Sequence, residues 1–211
     1  MKLLIPHYKQ QRGMSCGLVA MRMLFDYLGD KVTEKELDKK TKRHSFGNFF
    51  TELGELALDK NYDVTCYTIH LSILGPLKLP FGKRIITASL KNLKIRPSDK
   101  MTLDSWKSYL KKGGKLIWDT PKISRIEEYL NNKTPCSIAI NTAALRKFWR
   151  KWDNGHFLVV EGFDKDNFYV VDPDLPTKKA KYKINKDELL PSWAINASRS
   201  SAFLMVIERK K

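Results

Sequence analysis

The longest stretch of apolar periodicity lies near the N-terminus. Leu18-Val19-Ala20-Met21-Arg22-Met23-Leu24-Phe25-Asp26-Tyr27-Leu28 is apolar on most faces of a helix and is closed by Gly29. This pattern predicts a buried central helix starting at Cys16, with Ser15 as its N-cap. Lys2 to Ile5 reads as a short strand before it. Thr33 and Glu36 then form a capping-box pattern opening a charged surface helix to about Arg43. Phe49, Phe50, Leu53, Leu56, Ala57 and Leu58 repeat at helical spacing, so a third helix starts at Asn48 or Thr51 and stops by Asn61.

Beyond Asp63 the pattern changes to β-branched and aromatic residues. Strands are predicted over 63–69, 135–140, 156–163, 168–172, 181–184 and 202–207, with helices over 124–130 and 186–190. Residues 164–167, Asp-Lys-Asp-Asn, form a hairpin turn between two of these strands. Residues 70–122 are rich in turn formers and carry one clear helix, 102–112. They read as an insertion that covers or lines a site, or as ordinary helical packing. Helices first and a strand meander afterwards point to a single α+β domain over 1–211, with the helix that starts at Cys16 packed on a C-terminal antiparallel sheet.

Composition narrows the function classes. The chain has 211 residues, 42% of them hydrophobic, enough for a real core. Its 39 Lys and Arg outweigh 23 Asp and Glu, for a net charge of +16. Such a surface attracts anions, an acidic peptide among them. The basic runs are dispersed and accompany no nucleic-acid motif, so specific nucleic-acid binding is not expected. The exception to weigh is Arg146–Trp152, where aromatic and cationic residues alternate in a way that suits base stacking. Cys16, Cys66 and Cys136 are widely spaced, which argues against a disulfide framework and a structural metal site. No cofactor is implied. No segment has the length of a membrane span, and the simplest expectation is a cytoplasmic protein without membrane contact.

Three residues carry candidate chemistry. A cysteine in the first turn of a helix meets free N–H groups and the positive dipole end, both of which favour the nucleophilic thiolate. His156 begins a strand just after Asn154-Gly155, and Asp172 ends the partner strand of the same hairpin, so the two become neighbours at its open end. An acid there can hold the imidazole while its other nitrogen faces the thiol. Cys66 and Cys136 lie in apolar strands and are expected in the core. His44 and His70 are expected at the surface, and His7 matches no pattern.

The blocks Gln10-x5-Cys16-Gly17, Gly155-His156-Phe157-Leu158-Val159-Val160-Glu161-Gly162-Phe163-Asp164 and Tyr169-Val170-Val171-Asp172-Pro173 together resemble the bacteriocin-processing cysteine peptidases that cut after double-glycine leaders, and their free-standing relatives. His156 lies 140 residues after Cys16, within the spacing of about 130–150 seen in papain-like enzymes. The resemblance implies a papain-like fold with Cys16 as nucleophile, His156 as general base and acid, and Asp172 as its orienter. It also implies a side-chain oxyanion donor from Gln10, with Gln11 as the neighbouring alternative. A peptide or protein is the implied substrate. The chain lacks the span and ATPase domain of transporter-linked members, which leaves hydrolysis and acyl transfer through the same triad both open. A non-catalytic basic binding module is the reading from another class.

Overall fold

The computed structural model describes residues 1–42, 44–75, 84–85, 90, 95–145 and 155–210. Helix α1 (Cys16–Tyr27) leads, followed by α2 (Glu34–Lys40) and α3 (Phe50–Leu58). Strand β1 (Tyr62–Thr68), the single turn α4 (Leu71–Leu74), the two-residue β2 (Arg84–Ile85), α5 (Lys100–Lys111), β3 (Lys115–Trp118) and α6 (Ile123–Asn131) come next. The remainder is β4 (Cys136–Asn141), β5 (Gly155–Phe163), β6 (Asn167–Val171), β7 (Lys181–Asn185), α7 (Lys186–Ala197) and β8 (Leu204–Arg209). Among the described residues the strands make one eight-stranded sheet, in the order β2-β3-β1-β8-β4-β5-β6-β7.

The architecture is the expected α+β, with its sheet antiparallel except where β1 and β3 run parallel. Segment 70–122 supplies two of the strands, and α5 packs on α3. Helix α1 packs against β5, α3 against β1, and α7 against β4. Val19, Met21, Met23 and Phe25 of α1 are fully buried, which is the outcome its nearly all-round apolar pattern demands.

Several local expectations are corrected. Ser15 does not cap α1 with its side chain; its hydroxyl donates instead to the Arg12 carbonyl at 2.9 Å. Residues 2–5 form one bridge, Lys2 to Gly162, rather than a full strand. The capping box of Thr33 and Glu36 is present, but α2 ends at Lys40. Helix α3 begins after Phe49, whose N–H is taken by the Glu52 carboxylate at 3.3 Å. Helix α7 runs through Pro191 to Ala197, because Leu189, Trp193 and Ala197 are all fully buried and packing outweighs the lost hydrogen bond. His70 is buried, edge-on to Trp106 and bonded to the Ser72 hydroxyl at 3.0 Å, and burial lowers its pKa. His44 is mostly buried too, stacked on Phe46 and 2.9 Å from Glu52. Each histidine found a local polar partner and an aromatic face, which removed it from the surface. Cys66 and Cys136 lie in the core, where burial pushes the Cys66 thiol up to about 12.

Candidate active site

The β5–β6 hairpin carries the feature that sets the geometry. Near its turn the strands pair as Phe163 with Phe168 and Gly162 with Tyr169. Further along they pair as Val160 with Val170 and Val159 with Val171. A bulge at Glu161 therefore shifts the register by one residue. Continued in the shifted register, Asp172 lies across from Leu158, which shares a sheet face with His156. Without the bulge Asp172 would oppose Val159, on the other face. The bulge brings acid and imidazole together as diagonal neighbours.

The contact is direct. His156 Nε2 donates to Asp172 Oδ1 at 2.8 Å, and both side chains are buried. Asp172 is held on every side. Its Oδ1 also accepts from the Asp174 N–H at 2.8 Å, its Oδ2 accepts from the Tyr182 hydroxyl at 3.0 Å, and its N–H donates to the Ala180 carbonyl at 2.8 Å. The bond from Asp174 to Asp172 spans a proline in an Asx-type turn.

Cys16 lies half-buried at the start of α1 and hydrogen-bonds the His156 ring. With Nε2 given to Asp172, the ring nitrogen facing the sulfur is Nδ1. Burial alone pushes the Cys16 thiol up. The His156 bond and charge outweigh it, assisted by backbone N–H groups of Phe157 and Gly17, and the net direction is down. Burial likewise works against a charged His156, but the Asp172 bond and then Cys16 raise it to about 9. Both directions favour a thiolate–imidazolium pair.

Gln10 reaches the turn after Asp172 from the N-terminal side. Its backbone N–H donates to the Pro173 carbonyl at 2.7 Å, and its side-chain Nε2 donates to Asp174 Oδ1 at 2.6 Å. Gln11 is exposed, its N–H donating to Glu34 at 3.2 Å. His7 lies near the acid's turn, with Nδ1 3.2 Å from the Thr177 hydroxyl. Tyr182 and Asp174 were missed from sequence. The signal for Tyr182 was alternation: Asp172 faces Ala180 across β6 and β7, so Tyr182 two residues on shares its face.

A cleft of about 340 Å³ opens beside Gly155, with Phe46, Phe49, Phe50 and Phe157 among its walls and Asn141, Asn196 and Arg199 also lining it. Phe157 lies against Gly17, where an added Cβ would sit 3.4 Å from its ring. Gly155 and Phe157 flank His156 along β5, while Cys16 and His156 themselves do not line the cleft. A separate depression between α3 and α5, lined by Glu52, Glu55 and Lys112, touches none of Gln10, Cys16, His156 or Asp172. Among the described residues, no three or more His, Cys, Asp or Glu side chains group as a metal site.

Two family models match the chain: Peptidase C39 family over residues 5–81 and Peptidase C39-like family over residues 91–201. The chain belongs to the C39-like peptidase family. It is therefore a cysteine-type peptidase. No curated protein matches its sequence. Among solved structures it is similar to the peptidase domain of Streptococcus ComA, a bifunctional ABC transporter of a quorum-sensing pathway (TM-score 0.54, 12% identity, 98% of this chain and 100% of that one). A double-glycine-motif protease from an AMS/PCAT transporter, solved with its leader peptide, gives TM-score 0.51 at 14% identity over 99% and 94%. A C39-like peptidase from Bacillus anthracis gives 0.52 at 14% over 100% and 99%. At these identities the likeness establishes the papain-like fold of the C39-like peptidase. Among its described residues no helix is long and apolar enough to cross a membrane.

Proposed function

We propose that this peptidase cleaves peptide bonds through Cys16, His156 and Asp172, with Gln10 and the Cys16 backbone N–H binding the oxyanion. The observation that carries the reading is the relay Asp172–His156–Cys16, in which one ring nitrogen is bonded at 2.8 Å and the other faces a thiol whose pKa is lowered. The thiolate adds to the substrate carbonyl carbon, forming the C–S bond. Charge on the carbonyl oxygen is met by the two N–H donors. As the C–N bond breaks, the His156 imidazolium gives its Nδ1 proton to the departing amine, leaving a thioester. Neutral His156 then takes a proton from water, which attacks the thioester; the C–S bond breaks and the thiolate–imidazolium pair returns.

The substrate is read as an extended peptide running past Gly155, with an apolar side chain directed toward the phenylalanine-lined cleft. The net charge of +16 favours an acidic sequence around that anchor. A leader peptide, which the double-glycine protease holds in its own structure, is one such extended substrate. The test is cleavage of a peptide library by the native protein, with Cys16→Ala as control. Cysteine-dependent cleavage with products carrying a free carboxylate supports the reading. Products joined to an added amine would mark acyl transfer instead, and cleavage that survives Cys16→Ala would overturn the assignment.

A further inference from the structure

We propose that Asp174 is a positioning residue that aims the Gln10 amide at the developing oxyanion, an inference that rests on the reading of Gln10 as oxyanion donor. Asp174 stands 164 residues from Gln10 in sequence, yet its Oδ1 accepts from Gln10 Nε2 at 2.6 Å. The adjoining Pro173 carbonyl binds the Gln10 backbone N–H at 2.7 Å. The turn therefore grips Gln10 at both backbone and side chain.

The chemistry of the pair decides the orientation. A carboxylate only accepts hydrogen bonds, so it must face the nitrogen end of the amide. One N–H of the NH₂ group is then committed to Asp174. The other is fixed in the amide plane, about 120° away, because the group is planar. A free glutamine has several rotors, and ordering it costs side-chain entropy. Asp174 fixes that orientation before substrate arrives, which is the condition under which an oxyanion donor is most effective. Its own negative charge does not favour an oxyanion nearby, so its contribution is geometric.

The same residue is tied to the acid. The Asp174 N–H donates to Asp172 Oδ1, the atom that accepts from His156 Nε2. The turn 172–174 thus sets the imidazole with one residue and the oxyanion amide with another. A shift in this turn moves both halves of the site together.

The test uses two probes of Cys16 on the full chain. Iodoacetamide alkylates the thiolate at a tetrahedral carbon and develops no oxyanion. p-Nitrophenyl acetate acylates it through a tetrahedral intermediate that does. Removing an oxyanion donor costs about 100- to 1000-fold, and loosening one costs part of that, so Asp174→Ala is expected to slow acylation about tenfold or more. Alkylation stays within about twofold. Asp174→Asn, which can still offer an oxygen to Gln10, recovers most of the loss and serves if the alanine variant folds poorly. In a Gln10→Ala background, Asp174→Ala has no further effect on acylation. Equal losses in alkylation and acylation, or full additivity with Gln10→Ala, would overturn the proposal, because Asp174 would then act through Asp172 alone. Normal acylation by Gln10→Ala, with none by Cys16→Ala, would overturn the oxyanion reading of Gln10 itself and this role of Asp174 with it.

Discussion

Replacing Asp172 by Asn isolates what the buried charge does, because the geometry admits the amide. Asp172 Oδ1 accepts two donors, from His156 and the Asp174 N–H, so the amide oxygen must take that place. The new NH₂ then faces the Tyr182 hydroxyl, which turns from donor to acceptor. The exchange keeps the bonds from His156 and the Asp174 N–H and removes the charge they meet. A hydrogen bond to a charged partner contributes about 1.5–3 kcal/mol against about 1 for a neutral one, so the imidazolium loses about 1–2 kcal/mol of support. At 1.36 kcal/mol per pKa unit, the His156 pKa falls by about one unit from its raised position. His156 still holds most of its proton at pH 7, so the thiolate keeps its partner there and loses it about one unit earlier as pH rises.

The assay is the iodoacetamide alkylation rate of Cys16 as a function of pH. Native protein should react faster than an ordinary cysteine at neutral pH, since His156 holds the thiol pKa down. In Asp172→Asn the upper inflection, where His156 gives up its proton, moves about one unit to lower pH. Tyr182→Phe, which keeps the carboxylate and removes one donor to it, moves it less. A folded Asp172→Asn protein whose profile superimposes on the native one would refute the charge argument, because the ion pair would then be standing without its acid.

Three further outcomes follow from the structure. Peptide hydrolysis should trace a bell in pH: it rises as the thiol ionises below the ordinary cysteine pKa, and falls near pH 9 as His156 loses the proton the leaving amine needs, which steady-state kcat/KM would show. Gly162→Ala places a Cβ against the Met1 carbonyl oxygen and 2.8 Å from Lys2 Cα, which should cost about 1–3 kcal/mol and lower Tm by several degrees in a thermal melt. Thr33→Ala removes the hydroxyl that accepts the Glu36 N–H at 3.2 Å, costing about 1 kcal/mol in a denaturant titration while kcat/KM stays unchanged.

The parts of this fold that were legible in sequence are those decided within a few residues. Helix α1, the Thr33–Glu36 box and the turn at 164–167 each follow from local chemistry. The pairing of β3 with β1 was not legible, since a four-residue strand pairing across some fifty residues leaves no local signature. His70 was misread for the same reason: its burial depends on Trp106, thirty-six residues away. Residues 146–152, whose aromatic and basic pattern drew attention in sequence, lie outside the described residues.

The meeting of His156 and Asp172 shows how far a local reading reaches and where it stops. Hairpin topology alone brings the two strand ends near each other, but it does not choose the face. Face depends on parity, and parity is set by one extra residue, Glu161. That residue is stabilised from outside the hairpin. Its carbonyl accepts the Leu3 N–H at 2.6 Å, and its buried carboxylate accepts from Lys181 Nζ at 2.9 Å, which also reaches the Ile5 carbonyl. The Phe163 N–H donates to the Met1 carbonyl at 3.0 Å, so the N-terminal segment lies along the bulge on both sides. The strand predicted at 2–5 was therefore a real apolar signal put to another use: Leu3 and Ile5 are buried, while the backbone around them clamps a bulge instead of completing a ladder. It follows that Gly162→Ala should do more than destabilise. If loosening Met1–Leu3 relaxes the bulge, Asp172 drifts from His156, and Cys16 alkylation at neutral pH slows toward the rate of an ordinary thiol even at temperatures where the variant remains folded. Native-like alkylation in a folded Gly162→Ala protein would show that the bulge holds without its clamp.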